Sequence, residues 1–136
     1  MFGYKSKKPR VLIVDDDPGI LGTLRDRLEF NDLEVITAVD GRDGLAAAIA
    51  HKPNIIITDI AMPLMDGIEM VKAFRNTEIG KHLPIIVITG NWKTEDVLAA
   101  NELHIDECLQ KPFEMSTLLG KIKNLLEVST DNTLPC

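Results

Sequence analysis

The 136-residue sequence contains only two cysteines, Cys108 and Cys136, which form no metal-binding or redox motif. Such scarcity implies no disulfide framework and is typical of a protein of the reducing cytoplasm. The N-terminal region lacks the apolar core of a signal peptide, because the apolar run 11–14 is followed at once by three aspartates. No apolar segment is long enough to span a membrane. No glycine-rich loop of the P-loop or dinucleotide-binding type is present.

Positive charge is also scarce, since the chain carries a net charge of −6. This balance argues against a dominant non-specific interaction with nucleic acid or with an acidic membrane surface. Apolar residues make up 45% of the chain and charged residues 26%, as in ordinary globular domains. We expect an N-terminal tail at residues 1–8, one domain at residues 9–127 and a C-terminal tail at residues 128–136.

Short apolar, β-branched runs alternate along the chain with segments of helical periodicity. The runs are typical of strands buried on both faces, as in parallel sheets. Asp17-Pro18 is predicted to cap the first helix, whereas Asp40-Gly41 is predicted to form a turn before a helix at 45–50. The alternation predicts a doubly wound α/β domain with helices on both faces of a five-stranded parallel sheet. The predicted strands are 11–14, 34–39, 55–58, 85–89 and 108–109.

Polar side chains follow or end four of these strands, and all carboxyl ends of a parallel sheet lie at one edge. We therefore expect one crevice to contain Asp15, Asp16, Asp59, Thr89 and Lys111. Three crowded carboxylates repel one another and need a cation at neutral pH. Oxygen ligands with room for water suit Mg²⁺, and Lys111 would add a fixed positive charge.

Asp59 is the central candidate, because Pro63 and Asp66-Gly67 turn the chain directly after it and direct its carboxylate toward the crevice. A carboxylate can act as a nucleophile and form an acyl phosphate. Each of these residues also has an ordinary interpretation: a loop acid, a turn residue, a strand-end hydroxyl or a solvated lysine. Their arrangement at strand ends favours a functional interpretation of the set.

Four motifs together resemble the receiver domain of two-component response regulators, over roughly residues 9–127. These motifs are Val-Asp-Asp-Asp-Pro at 14–18, Thr-Asp-Ile-Ala-Met-Pro-Leu-Met-Asp-Gly at 58–67, Ile-Thr-Gly at 88–90 and Lys-Pro-Phe at 111–113. The resemblance implies a flavodoxin-like α/β/α fold with strand order 2-1-3-4-5.

The resemblance also implies a role for each candidate residue. Asp59 would be the phosphoacceptor, and Thr89 and Lys111 would hold the phosphoryl oxygens. Mg²⁺ would be bound by Asp59, by Asp16 directly, by Asp15 through water and by the main-chain carbonyl of Ala61. The bond between Lys111 and Pro112 would be cis.

The partners that the resemblance implies are a histidine kinase or histidine phosphotransfer protein as donor and a downstream output protein or domain. The face around residues 93–127 would change its partner affinity and could form a phosphorylation-dependent homodimer. No direct binding to nucleic acid or membrane is expected, and no enzymatic activity beyond Mg²⁺-dependent self-phosphorylation and self-dephosphorylation.

The chain departs from the family pattern at two places. Cys108 occupies the position three before the lysine, where the family usually has an aromatic residue, and His104-Ile105 replaces a common Gly-Ala pair. A cysteine offers little area for the usual aromatic coupling, so a constitutive interaction module remains one alternative. A second is a phosphatase with an aspartate nucleophile, although Asp15-Asp16-Asp17 does not match the Asp-x-Asp motif of those enzymes.

Overall fold

The computed structural model describes residues 8–127, in which five strands and five helices alternate. The strands are β1 (Arg10–Val14), β2 (Glu34–Ala38), β3 (Ile55–Thr58), β4 (Ile85–Thr89) and β5 (Glu107–Gln110). The helices are α1 (Pro18–Phe30), α2 (Gly41–His51), α3 (Gly67–Arg75), α4 (Thr94–Glu102) and α5 (Met115–Glu127). The two predicted tails, 1–8 and 128–136, lie outside the described residues except for Lys8, and they stay predictions.

All neighbouring strands are parallel and follow the order β2-β1-β3-β4-β5, which confirms the doubly wound, flavodoxin-like prediction. The register places Val14 opposite Thr58, and Thr58 opposite Val87. Because β1 and β3 end side by side, the residues that follow them emerge next to each other.

The core forms two layers, because successive residues of each strand point to opposite faces of the sheet. One layer joins the sheet to α1 and α5 through leucines and isoleucines of both helices. The other joins the opposite face to α2, α3 and α4, where Met70, Val71 and Phe74 fill the space beneath α3. The apolar runs of the sequence are therefore buried on both faces, as expected for a parallel sheet.

Helix α2 begins at Gly41, so the prediction of a turn at Asp40-Gly41 with a helix only from residue 45 is wrong. The Asp40 side chain accepts a hydrogen bond from the Asp43 N–H at 2.7 Å and thereby caps the helix. The Gly41 N–H donates to the Met65 carbonyl at 3.0 Å, and a Cβ at residue 41 would overlap that oxygen. The missing side chain lets α2 start against the loop that precedes α3.

Strand β5 is longer than predicted and carries Cys108, the only cysteine among the described residues. Cys108 is partly buried against the core and is disulfide-bonded. The expectation that the two cysteines imply no disulfide is therefore wrong for this residue. Between residues 8 and 127, no helix combines the length and the apolar character needed to cross a bilayer.

We expect Phe74→Ala to lower the free energy of unfolding by about 3–5 kcal/mol, because it leaves a cavity in a fully buried part of the core. Phe30→Ala is the matched control, since the Phe30 side chain at the end of α1 is 86% exposed. Its effect should stay within about 0.5 kcal/mol. Urea denaturation followed by circular dichroism measures both, and equal losses would contradict the described packing.

Candidate functional site

Three aspartates meet at the carboxyl edge of the sheet. Asp15 and Asp16 follow β1, Asp59 follows β3, and one carboxylate oxygen of each lies within 4.8 Å of the others. The backbone fixes two of them, because the Asp15 N–H donates to the Ala38 carbonyl at 3.1 Å and the Asp59 N–H donates to the Val14 carbonyl at 3.0 Å. Asp15 is buried, whereas Asp16 is exposed at the rim.

Lys111 bridges two of these carboxylates from the far side of the sheet. Its Nζ donates to Asp59 Oδ2 at 2.9 Å and to Asp15 Oδ2 at 3.2 Å. The Lys111 N–H also donates to the Thr89 carbonyl at 2.9 Å, which holds the ends of β4 and β5 together. The Lys111–Pro112 peptide bond is cis, as the family resemblance implied.

The aspartates and the lysine shift each other's protonation. Burial is the largest influence on Asp15 and raises the pKa of its carboxyl, although the Asp17 N–H and Lys111 favour the charged form. Burial is also the largest influence on Lys111 and by itself lowers its pKa. The hydrogen bonds and negative charges of Asp59 and Asp15 outweigh this, so that the pKa of Lys111 is raised. The site is therefore a crowded set of anions that strongly retains its cation.

Local hydrogen bonds orient the Asp59 side chain. Asp59 Oδ1 accepts a hydrogen bond from the Ile60 N–H at 2.7 Å, while Oδ2 accepts from Lys111. The Thr58 hydroxyl donates to the Asp59 carbonyl at 2.8 Å. Both carboxylate oxygens thus have a defined donor, and the group is held at the edge of the crevice.

Gly67 closes the loop that follows Asp59. Its N–H donates to the Ile60 carbonyl at 2.8 Å, and a Cβ at residue 67 would overlap the carbonyl oxygen of Asp59. The sequence interpretation assigned Gly67 only to a turn, and it missed this close contact with the backbone of the central aspartate. The only signal was the Asp-Gly pair itself, which does not specify the contact.

The remaining predicted site residues lie at the same edge. Thr89 ends β4 and is buried, and its hydroxyl oxygen accepts a long hydrogen bond of 3.4 Å from the Asn91 N–H. Ala61 is exposed in the loop, two residues after Asp59. The structure therefore brings Asp15, Asp59 and Lys111 into direct contact or close proximity, and it places Thr89 beside Lys111 through the strand ends.

We expect Lys111→Met to lower the free energy of unfolding by about 1–3 kcal/mol at pH 7, since it leaves two carboxylates without their ammonium partner. Because the pKa of folded Lys111 is raised above its ordinary 10.5, its contribution is complete below pH 10.5 and is lost as the pH rises through the raised value. The difference between wild type and variant should stay constant from about pH 7 to 9.5 and shrink above pH 10.5. Denaturant titrations across this range measure it.

Lys121→Met is the matched control, because Lys121 pairs with Glu107 at 2.8 Å in a more exposed position. Its loss should cost no more than about 1 kcal/mol. A Lys111 effect that equals the Lys121 effect would contradict the described charge arrangement.

Comparison with known proteins is consistent with this geometry. The family model described as "Response regulator receiver domain" matches residues 11–123. The transcriptional regulatory protein PrrA of Mycobacterium tuberculosis is 38% identical over 118 residues, which cover 87% of this chain and 50% of the relative. The chain thus spans about half the length of the curated relatives it matches.

Solved structures show the same similarity. The chemotaxis response regulator CheY4 of Vibrio cholerae has a TM-score of 0.80 and 35% identity, covering 87% of this chain and 98% of that chain. A CheY-like receiver domain protein of Methanospirillum hungatei has a TM-score of 0.85 and 31% identity, covering 90% and 96%. From the matched family model and these similarities, we conclude that the chain belongs to the response regulator receiver domains.

Proposed function

We propose that Asp59 of this receiver domain accepts a phosphoryl group from the phosphohistidine of a histidine kinase or histidine phosphotransfer protein. The observation that carries the proposal is the bridge from Lys111 Nζ to Asp59, beside two further aspartates at the carboxyl edge of the sheet. Receiver domains are phosphoacceptor switches, and this edge offers a positioned carboxylate with a fixed cation beside it.

The proposed transfer needs no base from the protein. A carboxylate oxygen of Asp59 attacks phosphorus, and the O–P bond forms as the N–P bond of the donor breaks. The imidazole nitrogen keeps the bonding electron pair and takes up a proton from solvent. In the proposed product, the Lys111 ammonium pairs with one phosphoryl oxygen, and the Thr89 hydroxyl donates a hydrogen bond to another.

The donor set fits a divalent cation. Three carboxylates and one ammonium leave two negative charges, which one divalent ion balances. Oxygen ligands and an exposed rim residue with room for water suit Mg²⁺. We propose that Asp16 and Asp59 hold it directly, Asp15 through water, and Ala61 through its main-chain carbonyl. When bound, Mg²⁺ supplies neutralisation of the charge on the transferred group.

We further propose that phosphorylation changes the partner affinity of the face built from residues 93–127, either toward an output domain or in a homodimer. One relative is named as a transcriptional regulator, so DNA binding would belong to an output segment or partner. The receiver itself, with a net charge of −6, would bind neither nucleic acid nor membrane. We propose that it works in the cytoplasm and performs only its own phosphorylation and dephosphorylation.

Incubation with acetyl phosphate and Mg²⁺ should add one acid-stable, alkali-labile phosphoryl group to the wild-type chain. Asp59→Asn should abolish the adduct, because an amide is not a comparable nucleophile. Asp26→Asn is the matched control, since Asp26 is exposed on α1, and it should be phosphorylated normally. Intact-mass spectrometry measures the adduct. A wild-type chain that stays unmodified, or an adduct retained in Asp59→Asn, would contradict the assignment.

Mg²⁺ should stabilise the wild-type chain by about 2.7 kcal/mol at one hundred times its dissociation constant. Asp16→Asn should lose most of this gain while keeping its metal-free stability, because Asp16 is exposed at the rim. Thermal denaturation at constant ionic strength measures both effects, again with Asp26→Asn as the control. Equal stabilisation of all three proteins would show that Asp16 is not a ligand.

A further inference from the structure

Arg75, at the end of α3, has a buried guanidinium that the proposed chemistry does not use. Its side chain is only 11% exposed. The guanidinium donates four hydrogen bonds to main-chain carbonyls in two separate turns. The acceptors are Leu103 at 2.9 Å, His104 at 3.0 Å, Gly80 at 2.8 Å and Leu83 at 2.7 Å. The residue therefore joins the turn before β4 to the turn between α4 and β5.

The turn between α4 and β5 is also fixed by contacts of its own. Ile105 is fully buried in the core. The Asp106 N–H donates to the Ile85 carbonyl at 3.0 Å, and the Ile85 N–H donates to Asp106 Oδ2 at 2.8 Å. Arg75 Nη2 lies 3.9 Å from the same Asp106 oxygen. These contacts attach the turn to the first residue of β4.

His104 shows that this turn is held against a local preference. Its φ of 56° is in the left-handed region, which L-residues with a side chain disfavour. Such conformations persist where the surrounding contacts over-determine them. The bond from Arg75 to the His104 carbonyl is one of these contacts.

Helix α4, on the other side of the turn, is held much more weakly. Ala100 is its only buried residue, while Val97 and Leu98 are 46% and 60% exposed. Its other end follows Thr89 through the short segment 90–93. One end of α4 therefore leads from the phosphorylation site, and the other is clamped.

We propose that Arg75 makes residues 103–106 a fixed pivot, about which residues 90–102 move when Asp59 is phosphorylated. The proposal depends on the proposed function for the motion, whereas the clamp itself exists in the unmodified chain. Arg75 acts through the turn and touches no reacting atom, so it is a positioning residue.

An arginine suits this role better than a lysine. Burial lowers the pKa of Arg75 and Asp106 opposes that effect, yet a guanidinium stays protonated at any pH at which the protein folds. Its planar fork donates in several fixed directions, whereas an ammonium on a flexible stem cannot reach four carbonyls in two turns. Charge alone therefore should not replace it.

Amide hydrogen exchange of the full chain, followed by NMR, tests the pivot with and without acetyl phosphate and Mg²⁺. Intact-mass spectrometry first establishes the Asp59 adduct. In wild type, phosphorylation should alter exchange in residues 90–102 and leave the amides of Leu103, Ile105 and Asp106 unchanged. In Arg75→Lys, these three amides should exchange at least tenfold faster and should respond to phosphorylation.

The controls separate the clamp from general destabilisation. Arg25→Gln removes an arginine whose ion pair with Glu29, at 3.9 Å on α1, is far more exposed, and it should match wild type. Asp106→Asn keeps the carbonyl bonds of Arg75 and should give a smaller effect than Arg75→Lys. It also provides a second variant if Arg75→Lys does not fold.

The possible failures are distinguishable. Absence of an Asp59 adduct overturns the proposed function, while the unmodified chains still decide the clamp. Equal exchange of residues 103–106 in wild type and Arg75→Lys overturns the clamp. An adduct accompanied by altered exchange throughout residues 90–106 of the wild type overturns the pivot. Altered exchange confined to residues 90–102 in wild type, spreading in Arg75→Lys, supports it.

Discussion

The site depends on placing the buried Asp15 and the largely buried Asp59 beside one ammonium group at the carboxyl edge of the sheet. Removing a carboxylate from water costs free energy, and a second carboxylate nearby adds repulsion. Lys111 offsets only part of this, as the raised pKa of Asp15 shows. An arrangement of this kind persists because the surrounding fold holds the charged groups in place. The incomplete compensation is also what makes the edge receptive to a cation and to a phosphoryl group.

The parallel sheet supplies that support. Backbone hydrogen bonds from Asp15 to β2 and from Asp59 to β1 continue the strand pairing one residue past the regular strands. The strands themselves are buried on both faces, so they cannot shift in register without disturbing two cores. Gly41 and Gly67 then allow α2 and the loop after β3 to pack closely against this edge. The positions of the charged groups therefore follow from apolar packing some distance away.

Most of the fold could be predicted from the sequence, because each strand is a short apolar run and the turn residues between them are distinct. The convergence of Asp15, Asp59 and Lys111 followed from the same reasoning, since all three residues end or follow strands of a parallel sheet. Close backbone contacts were not predictable. Asp40-Gly41 has the composition of a turn, and only the neighbouring Met65 carbonyl shows why a helix begins there. Likewise, Arg75 has the pattern of a cation in the last turn of a helix, and its carbonyl acceptors come from residues distant in sequence.

The difference in burial between Asp15 and Asp16 has a kinetic consequence. An ion bound between a buried and an exposed carboxylate can enter and leave by way of the rim, without any opening of the core. Its residence would then be short, and its occupancy would follow the free ion concentration of the surroundings. A chain built in this way would depend on the ionic state of its compartment at the moment a donor arrives, rather than on a metal acquired during folding.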